Sequence, residues 1–384
     1  MSKRVAIVGI GHTAFRATSP GVSYKEMMFE AATKAYADAG LDARKEIDSF
    51  LSCSEDLNEG TSIFDEYVPD QIGGAQRPVY TVGGDAIQGM ATAYMQILSG
   101  VAGVVAVEAH SKASNILTAE RVHALALDPT FVRPLDVHPE FVAGLEADAY
   151  FQATGCGREH CAYVVAKNRR NALANPSAAY GAAIDPEDVL ASPPAFEPLS
   201  QLDVSGSADG GTVIVLASEE RAKALNGRAV WVRGIGWSNG SFSLSSRDWA
   251  QAEYARLAAD MAYRMAGIKE PRREVRFAEV DDTYSYKELQ HLEALRLFEP
   301  GKAGPATKDG LTQRGGQFPV NPSGGSLGVG RLLEASGAQK VIEVVQQLRG
   351  EAGPRQLPNV HLGLAQSWRG VPTASGAVVI LSDE

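Results

Sequence analysis

The chain has 384 residues, of which 45% are hydrophobic and 21% charged, a length and balance that suit large buried lobes and exclude a disordered or fibrous protein. A net charge of −10 without any basic block excludes nucleic acid as a partner. No 18-residue apolar stretch and no charged-then-apolar leader occur, so neither a membrane span nor a signal peptide is expected, and the expected location is cytoplasmic.

In chain order, the apolar run AIVGIG at 6–11 leads through a glycine exit to a helix over 23–40, opened by the capping-box pair Ser23 and Glu26 and stopped by Gly40. Strand-length runs follow at 49–54 and 101–107, with helical spacing between them at 86–99, headed by Asp85. The stretch 111–211 is rich in Ala, Pro and charge; it contains a helix from Arg158 to Asn175 and turn-forming Pro186, Pro193, Pro194 and Pro198, and reads as an inserted loop domain. Beyond it come strand-length runs at 213–218, 231–236, 277–281, 360–365 and 377–381, and helical spacing at 249–266, 286–298 and 332–349, the last opened by Arg331.

A repeat organises these elements. AATKAYADAG at 31–40 matches AADMAYRMAG at 258–267 at Ala31/Ala258, Ala32/Ala259, Ala35/Ala262, Tyr36/Tyr263, Ala39/Ala266 and Gly40/Gly267. Upstream, AIVGIG at 6–11 matches WVRGIG at 231–236 at Gly9/Gly234, Ile10/Ile235 and Gly11/Gly236. A strand and its crossover helix are therefore duplicated, which predicts two α/β halves: 1–110 with 212–227, and 228–384, with 111–211 inserted.

Three cysteines, at 53, 156 and 161, are an odd number and argue against a disulfide framework. The cluster Cys156-Gly-Arg-Glu-His160-Cys161 lacks CxxC spacing and a second ligand pair, so no metal site is expected, and Cys53 reads as a core residue. The glycine-rich run 324–330 has no following Lys-Ser/Thr, which rejects a Walker-type loop. His110, His138 and His361 lie near strand or loop ends; His361 is placed to reach a pocket. Asp209, in Ser207-Ala-Asp209-Gly210, reads as a cap on backbone donors.

The segments 155–176 (GCGREHCAYVVAKNRRNALANP) and 185–218 (DPEDVLASPPAFEPLSQLDVSGSADGGTVIVLAS) resemble the thiolase superfamily, most closely its sterol-carrier-protein and archaeal types. NPSGGSLGVGRLLEASG at 321–337 resembles the loop that closes the thiolase active site, and VDDTYSYKELQHLEAL at 280–295 the loop that places a polar residue beneath the acyl-CoA carbonyl. The resemblance implies an α/β fold of two duplicated βαβαβ-type halves in a five-layer α-β-α-β-α sandwich, a homodimer, and a coenzyme A thioester as substrate with no covalently bound cofactor.

Thiolases use a cysteine at a helix N-terminus, where exposed N–H groups favour the thiolate, and a histidine from the second half. Aligning VGGDAIQGM at 82–90 places Asp85 where the cysteine belongs, and aligning GVGRLLEASG places Arg331 at the histidine. Asp281 takes the usual asparagine or histidine position, followed by Asp282, Thr283, Tyr284, Ser285 and Tyr286. The resemblance further makes Ser323, Gly324, Gly325 and Ser326 candidates for holding substrate or CoA. Without a thiolate, two readings stand. One is carbon–carbon cleavage of a β-hydroxyacyl-CoA by a retro-aldol step, in the manner of steroid side-chain aldolases that work with a small zinc-binding OB-fold partner; Tyr284 or Tyr286, with Asp85 or Asp281, would then move the proton, and Arg331 would steady the thioester oxygen or a substrate carboxylate. The other is a non-catalytic scaffold for a catalytic thiolase paralogue, in which Asp85 and Arg331, heading equivalent helices, form an ion pair that neutralises a vacant pocket.

Overall fold

A computed structural model of the chain describes residues 4–55, 63–225, 228–241 and 243–384. Its strands are β1 (Val5–His12), β2 (Ser49–Cys53), β3 (Val79–Val82), β4 (Val104–Lys112), the short pair β5 (Pro194–Phe196) and β6 (Leu199–Ser200), β7 (Asp209–Ser218), β8 (Val230–Asn239), β9 (Phe277–Glu279), β10 (Leu362–Trp368) and β11 (Ser375–Ser382). The helices that frame the site are α1 (Tyr24–Ala39), α2 (Ala86–Ser99), α3 (Phe141–Thr154), α4 (Arg158–Ala172), α5 (Glu253–Ala266), α6 (Ser285–Ala294), α7 (Gly325–Val329) and α8 (Ser336–Leu348).

Nine strands form one mixed sheet in the order β3-β2-β4-β7-β1-β8-β11-β10-β9. The order is two half-sheets back to back, for β1 and β8 occupy equivalent places beside the antiparallel strands β7 and β11. At the seam, two residue pairs among the described residues join them, Ala6↔Trp231 and Ile7↔Val230. One apolar cluster covers the outer face of the first half under α1, a second surrounds α2 and α8 between the half-sheets, and a third joins α5 to the outer face of the second half. This is the expected duplicated five-layer fold, with α2 and α8 between the two half-sheets, which also join at the β1–β8 seam. Residues between β4 and β7, including α3 and α4, pack into the third cluster. No helix among the described residues is long and apolar enough to cross a membrane.

The repeat has a steric cause. A Cβ built on Gly9 would lie 2.4 Å from the Ala35 carbonyl oxygen, and one on Gly11 2.2 Å from that of Ala31. In the second half Gly234 meets Ala262 at 2.1 Å and Gly236 meets Ala258 at 2.2 Å. Each strand glycine thus sits on the backbone of the alanine helix that crosses it, and the matched residues are the ones that permit this approach. A bulge accompanies both glycines: pairing skips Val8 between Ile7 and Gly9, and Arg233 between Val232 and Gly234.

Two expectations change. The strand placed at 101–107 begins at Val104, where Asp48 accepts the N–H groups of Gly103 and Val104, and runs on to Lys112. The second central helix begins at Ser336, not 332. Arg331 is an extended bridge residue whose N–H donates to Gly206 O at 2.8 Å and whose carbonyl accepts from Ala208, and Leu333 adopts φ +46° before the helix can start. Arg331 therefore precedes the helix rather than heading it.

Gly236→Ala is expected to lower the unfolding free energy by about 1–3 kcal/mol, the cost of overpacking a strand–helix contact. Urea denaturation measures it, and an unchanged midpoint would show that α5 is free to back away from β8.

Candidate active site

The first turn of α2 exposes N–H groups that need acceptors. Asp85 is its N-cap: Oδ1 accepts from the Ile87 N–H at 2.9 Å, and Gln88 Oε1 returns the bond to the Asp85 N–H at 3.0 Å. Oδ2 turns to the other half and accepts from the Gly337 N–H in the first turn of α8 at 2.8 Å. One carboxylate therefore caps both central helices. Only glycine suits position 337, where a Cβ would lie 1.9 Å from Asp85 Oδ1. Asp85 is 3% exposed. Burial pushes its pKa up to about 6 from an ordinary 3.8, against the backbone N–H bonds and the Lys340 charge, which pull it down.

Asp85 lies in the wall of a cavity of about 210 Å³ that also takes Gly84, His123, Thr283, Arg331, Glu334, Trp368 and Arg369. Arg331 comes from the second half, as expected, but makes no ion pair with Asp85 among the described residues. Its nearest carboxylate is Glu140, with Nη1 4.0 Å from Oε1, because backbone N–H groups already occupy the Asp85 oxygens. The guanidinium lies over Gly370, where a Cβ would be 2.6 Å from Nη2. Desolvation first, and Arg331 second, lower the His123 pKa to about 4, so that imidazole is neutral at neutral pH. Tyr284 is fully buried; desolvation and then Glu140 push its phenol well above the usual range, with Arg331 acting in the opposite direction.

Tyr284 and the remaining sequence candidates lie outside the cavity wall. Asp281 Oδ1 accepts from the Thr283 N–H at 3.0 Å, and its Oδ2 faces the buried Lys340 at 4.0 Å. Tyr286 donates to Glu146 at 3.0 Å. Ser323 donates through N–H and Oγ to Glu279, Gly325 packs on Asp282, and Ser326 Oγ accepts from Lys340 at 3.0 Å. Asp282 caps the α7 N-terminus through the Ser326 and Leu327 N–H groups, and burial raises its pKa to about 7. The loop 321–326 thus uses its donors to anchor itself, and Gly324 meets Ala172 of α4.

His361 does not reach the cavity; it is paired with Asp383 at 2.8 Å on an exposed edge. Cys53 is buried against Gly89 of α2, and Cys156 and Cys161 lie in the third apolar cluster. Asp209 caps the Ser19 and Ser114 N–H groups and pairs with Lys112 at 2.8 Å. Sequence reasoning missed His123, Trp368 and Arg369. The last two carry a usable signal, since they end strand β10 on the side where β9 also ends, and crevices at the carboxyl ends of parallel strands are where α/β sheets take ligands. His123 sits in a helix of the inserted stretch, and nothing local marks it.

The thiolase C-terminal domain-like family profile matches residues 237–383. An acetyl-CoA acetyltransferase of Methanothermobacter thermautotrophicus is 29% identical over 374 residues, 95% of this chain and 96% of that protein. Sterol carrier protein 2 of Oryctolagus cuniculus is 27% identical, over 94% of this chain and 69% of that protein. A solved structure described as the Ltp2-ChsH2(DUF35) aldolase superposes with a TM-score of 0.85 at 27% identity, covering 99% of this chain and 97% of that one.

The raised Asp85 pKa sets the sign of a stability effect. Between its ordinary value of 3.8 and about 6 the folded chain retains a proton that the unfolded chain has released, so stability falls as pH rises through that window and levels off above it. Asp85→Asn, with nothing to ionise, is expected to gain on the native chain as pH climbs through the same interval. Urea midpoints of both proteins across it test this; a gap that instead widens in favour of the native chain would mean that the ionised carboxylate is the better held form.

Proposed function

The chain belongs to the thiolase superfamily, and from its site we propose that it binds an acyl-CoA and cleaves a carbon–carbon bond without an acyl-enzyme. The observation that carries this reading is the carboxylate of Asp85 at the paired helix N-termini, in a cavity to which none of the three cysteines contributes. A carboxylate is a poor acyl acceptor beside a thiolate, and its acyl product would be a labile anhydride. It is a competent base, ionised above about pH 6.

The reaction that needs a base and no nucleophile is a retro-aldol cleavage of a β-hydroxyacyl-CoA. Asp85 takes the hydroxyl proton, the oxygen's electron pair forms a carbonyl, the Cα–Cβ bond breaks, and its electrons pass into the thioester enolate. That enolate is then protonated at Cα, releasing an aldehyde or ketone and a shortened acyl-CoA. The positive ends of α2 and α8 favour developing negative charge at this point. Asp85 supports the role better than Asp281, Tyr284 or Tyr286, none of which lines the cavity. The similar structure, described as the Ltp2-ChsH2(DUF35) aldolase, supports a second protein as partner, for which a small zinc-binding OB-fold protein is the proposed identity.

The double cap also favours a second reading. A carboxylate that ties the two halves together is useful in a scaffold subunit of a heteromeric β-ketoacyl-CoA thiolase, with no chemistry of its own. The co-purified complex separates the two. As an enzyme, it is expected to cleave a β-hydroxyacyl-CoA with a rate that rises to a plateau above about pH 6, and Asp85→Asn is expected to cost about two or more orders of magnitude in kcat/KM. Full activity in the variant complex would establish the scaffold.

A homodimer is supported by the sheet edge. Among the described residues β3 has no outer neighbour, Tyr80, Val82, Tyr94 and Leu98 are half-covered there, and Val101 is 81% exposed. Sedimentation is expected to give twice the 40.7 kDa chain mass, and Tyr80→Asp to shift it toward one chain; a native protein sedimenting as a monomer would refute the pairing.

A further inference from the structure

We propose that Arg331 is a carboxylate receptor, so that the acyl group entering this cavity carries a second, ionised carboxylate and the substrate class is the monothioester of a dicarboxylic acid. The inference rests on the acyl-CoA reading above and narrows it.

Other buried arginines of this chain are satisfied by carboxylates. Arg247 holds Glu146 at 2.9 Å, Arg349 holds Asp38 at 2.7 Å, and Arg355 holds Glu343 at 2.9 Å, each almost fully buried and each within hydrogen-bonding distance of its carboxylate. Arg331 departs from that pattern. Its side chain is only 14% exposed, yet among the described residues its guanidinium makes no hydrogen bond, and the one carboxylate within ion-pair distance, that of Glu140, stands at 4.0 Å. A cation taken this far from water without charge-assisted bonds is costly, and an anion that completes the pairing recovers that cost. A neutral carbonyl recovers less.

The surroundings fix the guanidinium rather than consume it. The Arg331 backbone is pinned on both sides, by its N–H to Gly206 O and by its carbonyl to Ala208 N–H, and Gly370 leaves room for the fork to lie flat on the chain. Two of the charged groups of the wall have partners elsewhere: Asp85 accepts two backbone N–H groups, and Arg369 is paired with Glu55. Arg369 also keeps its buried Nε without a partner on the same wall. Five N–H donors in a rigid plane match the two oxygens of a carboxylate. Asp85 and Arg331 then divide the work, one addressing the reacting hydroxyl and the other the far end of the acyl chain.

Calorimetric titration of the purified protein, with its partner where the two co-purify, tests the proposal with glutaryl-CoA, the uncharged hexanoyl-CoA and free CoA. The native protein is expected to bind glutaryl-CoA about tenfold or more tighter than hexanoyl-CoA, the scale of one charge-assisted pairing. Arg331→Gln is expected to collapse that ratio to about one, and Arg331→Lys, which keeps the charge and loses the fork, to leave an intermediate value. Equal binding of the two thioesters by the native protein overturns the proposal without any variant, as does a preference that survives in Arg331→Gln. If Arg331→Gln weakens free CoA by the same factor as glutaryl-CoA, the guanidinium serves a phosphate and the proposal falls. Failure of all three ligands to bind sinks the acyl-CoA reading itself, a result distinct from equal binding.

Discussion

The arrangement depends on one carboxylate shared between two helix ends. Asp85 terminates α2 through one oxygen and α8 through the other, so the positive poles of two helices from different halves converge on a single buried charge. Without it both first turns would present unpaired N–H groups to the cavity. The glycine at 337 and the close packing of the two helices follow from the need to bring the second N–H within bonding distance.

The same geometry governs the electrostatics of the cavity. Burial raises Asp85 while the N–H bonds hold it down, and the balance lands at about 6, where a carboxylate is ionised at neutral pH but still basic enough to accept a proton. Around it the wall separates its roles. His123 is kept neutral, Arg369 is paired with Glu55, and Arg331 is held in place by its backbone with its donors largely free.

Beneath the cavity lies a second polar layer with a different purpose. Asp282 caps α7, Glu279 accepts two bonds from Ser323, and Lys340 reaches Ser326 and Asp281. Burial raises the Asp282 pKa to about 7 and that of Glu279 to about 8, the latter helped by Glu343. Their bonds fix the glycine-rich loop, whose positive φ values at Gly324 and Gly325 would otherwise leave it poorly determined.

The duplicated halves were legible in the chain itself, because strand glycines seated on helix alanines leave a fixed spacing that any copy must keep. Asp85 as a helix head was legible too, since an N-cap is a local property of a few consecutive residues. That its second oxygen belongs to Gly337 is a contact across 252 residues, invisible to any window along the sequence. Arg331 was found but misplaced at a helix start, for its extended backbone is imposed by Gly206 and Ala208 from a distant strand entry. The same holds for the loss of the expected Asp85–Arg331 pair, and for Asp281, Tyr286 and Ser323–Ser326 lying below the cavity rather than in its wall. Local patterning therefore determined which elements form and how they repeat; tertiary packing decided which polar groups face the cavity and which are spent holding it together, because burial and partner choice depend on residues far apart in the chain.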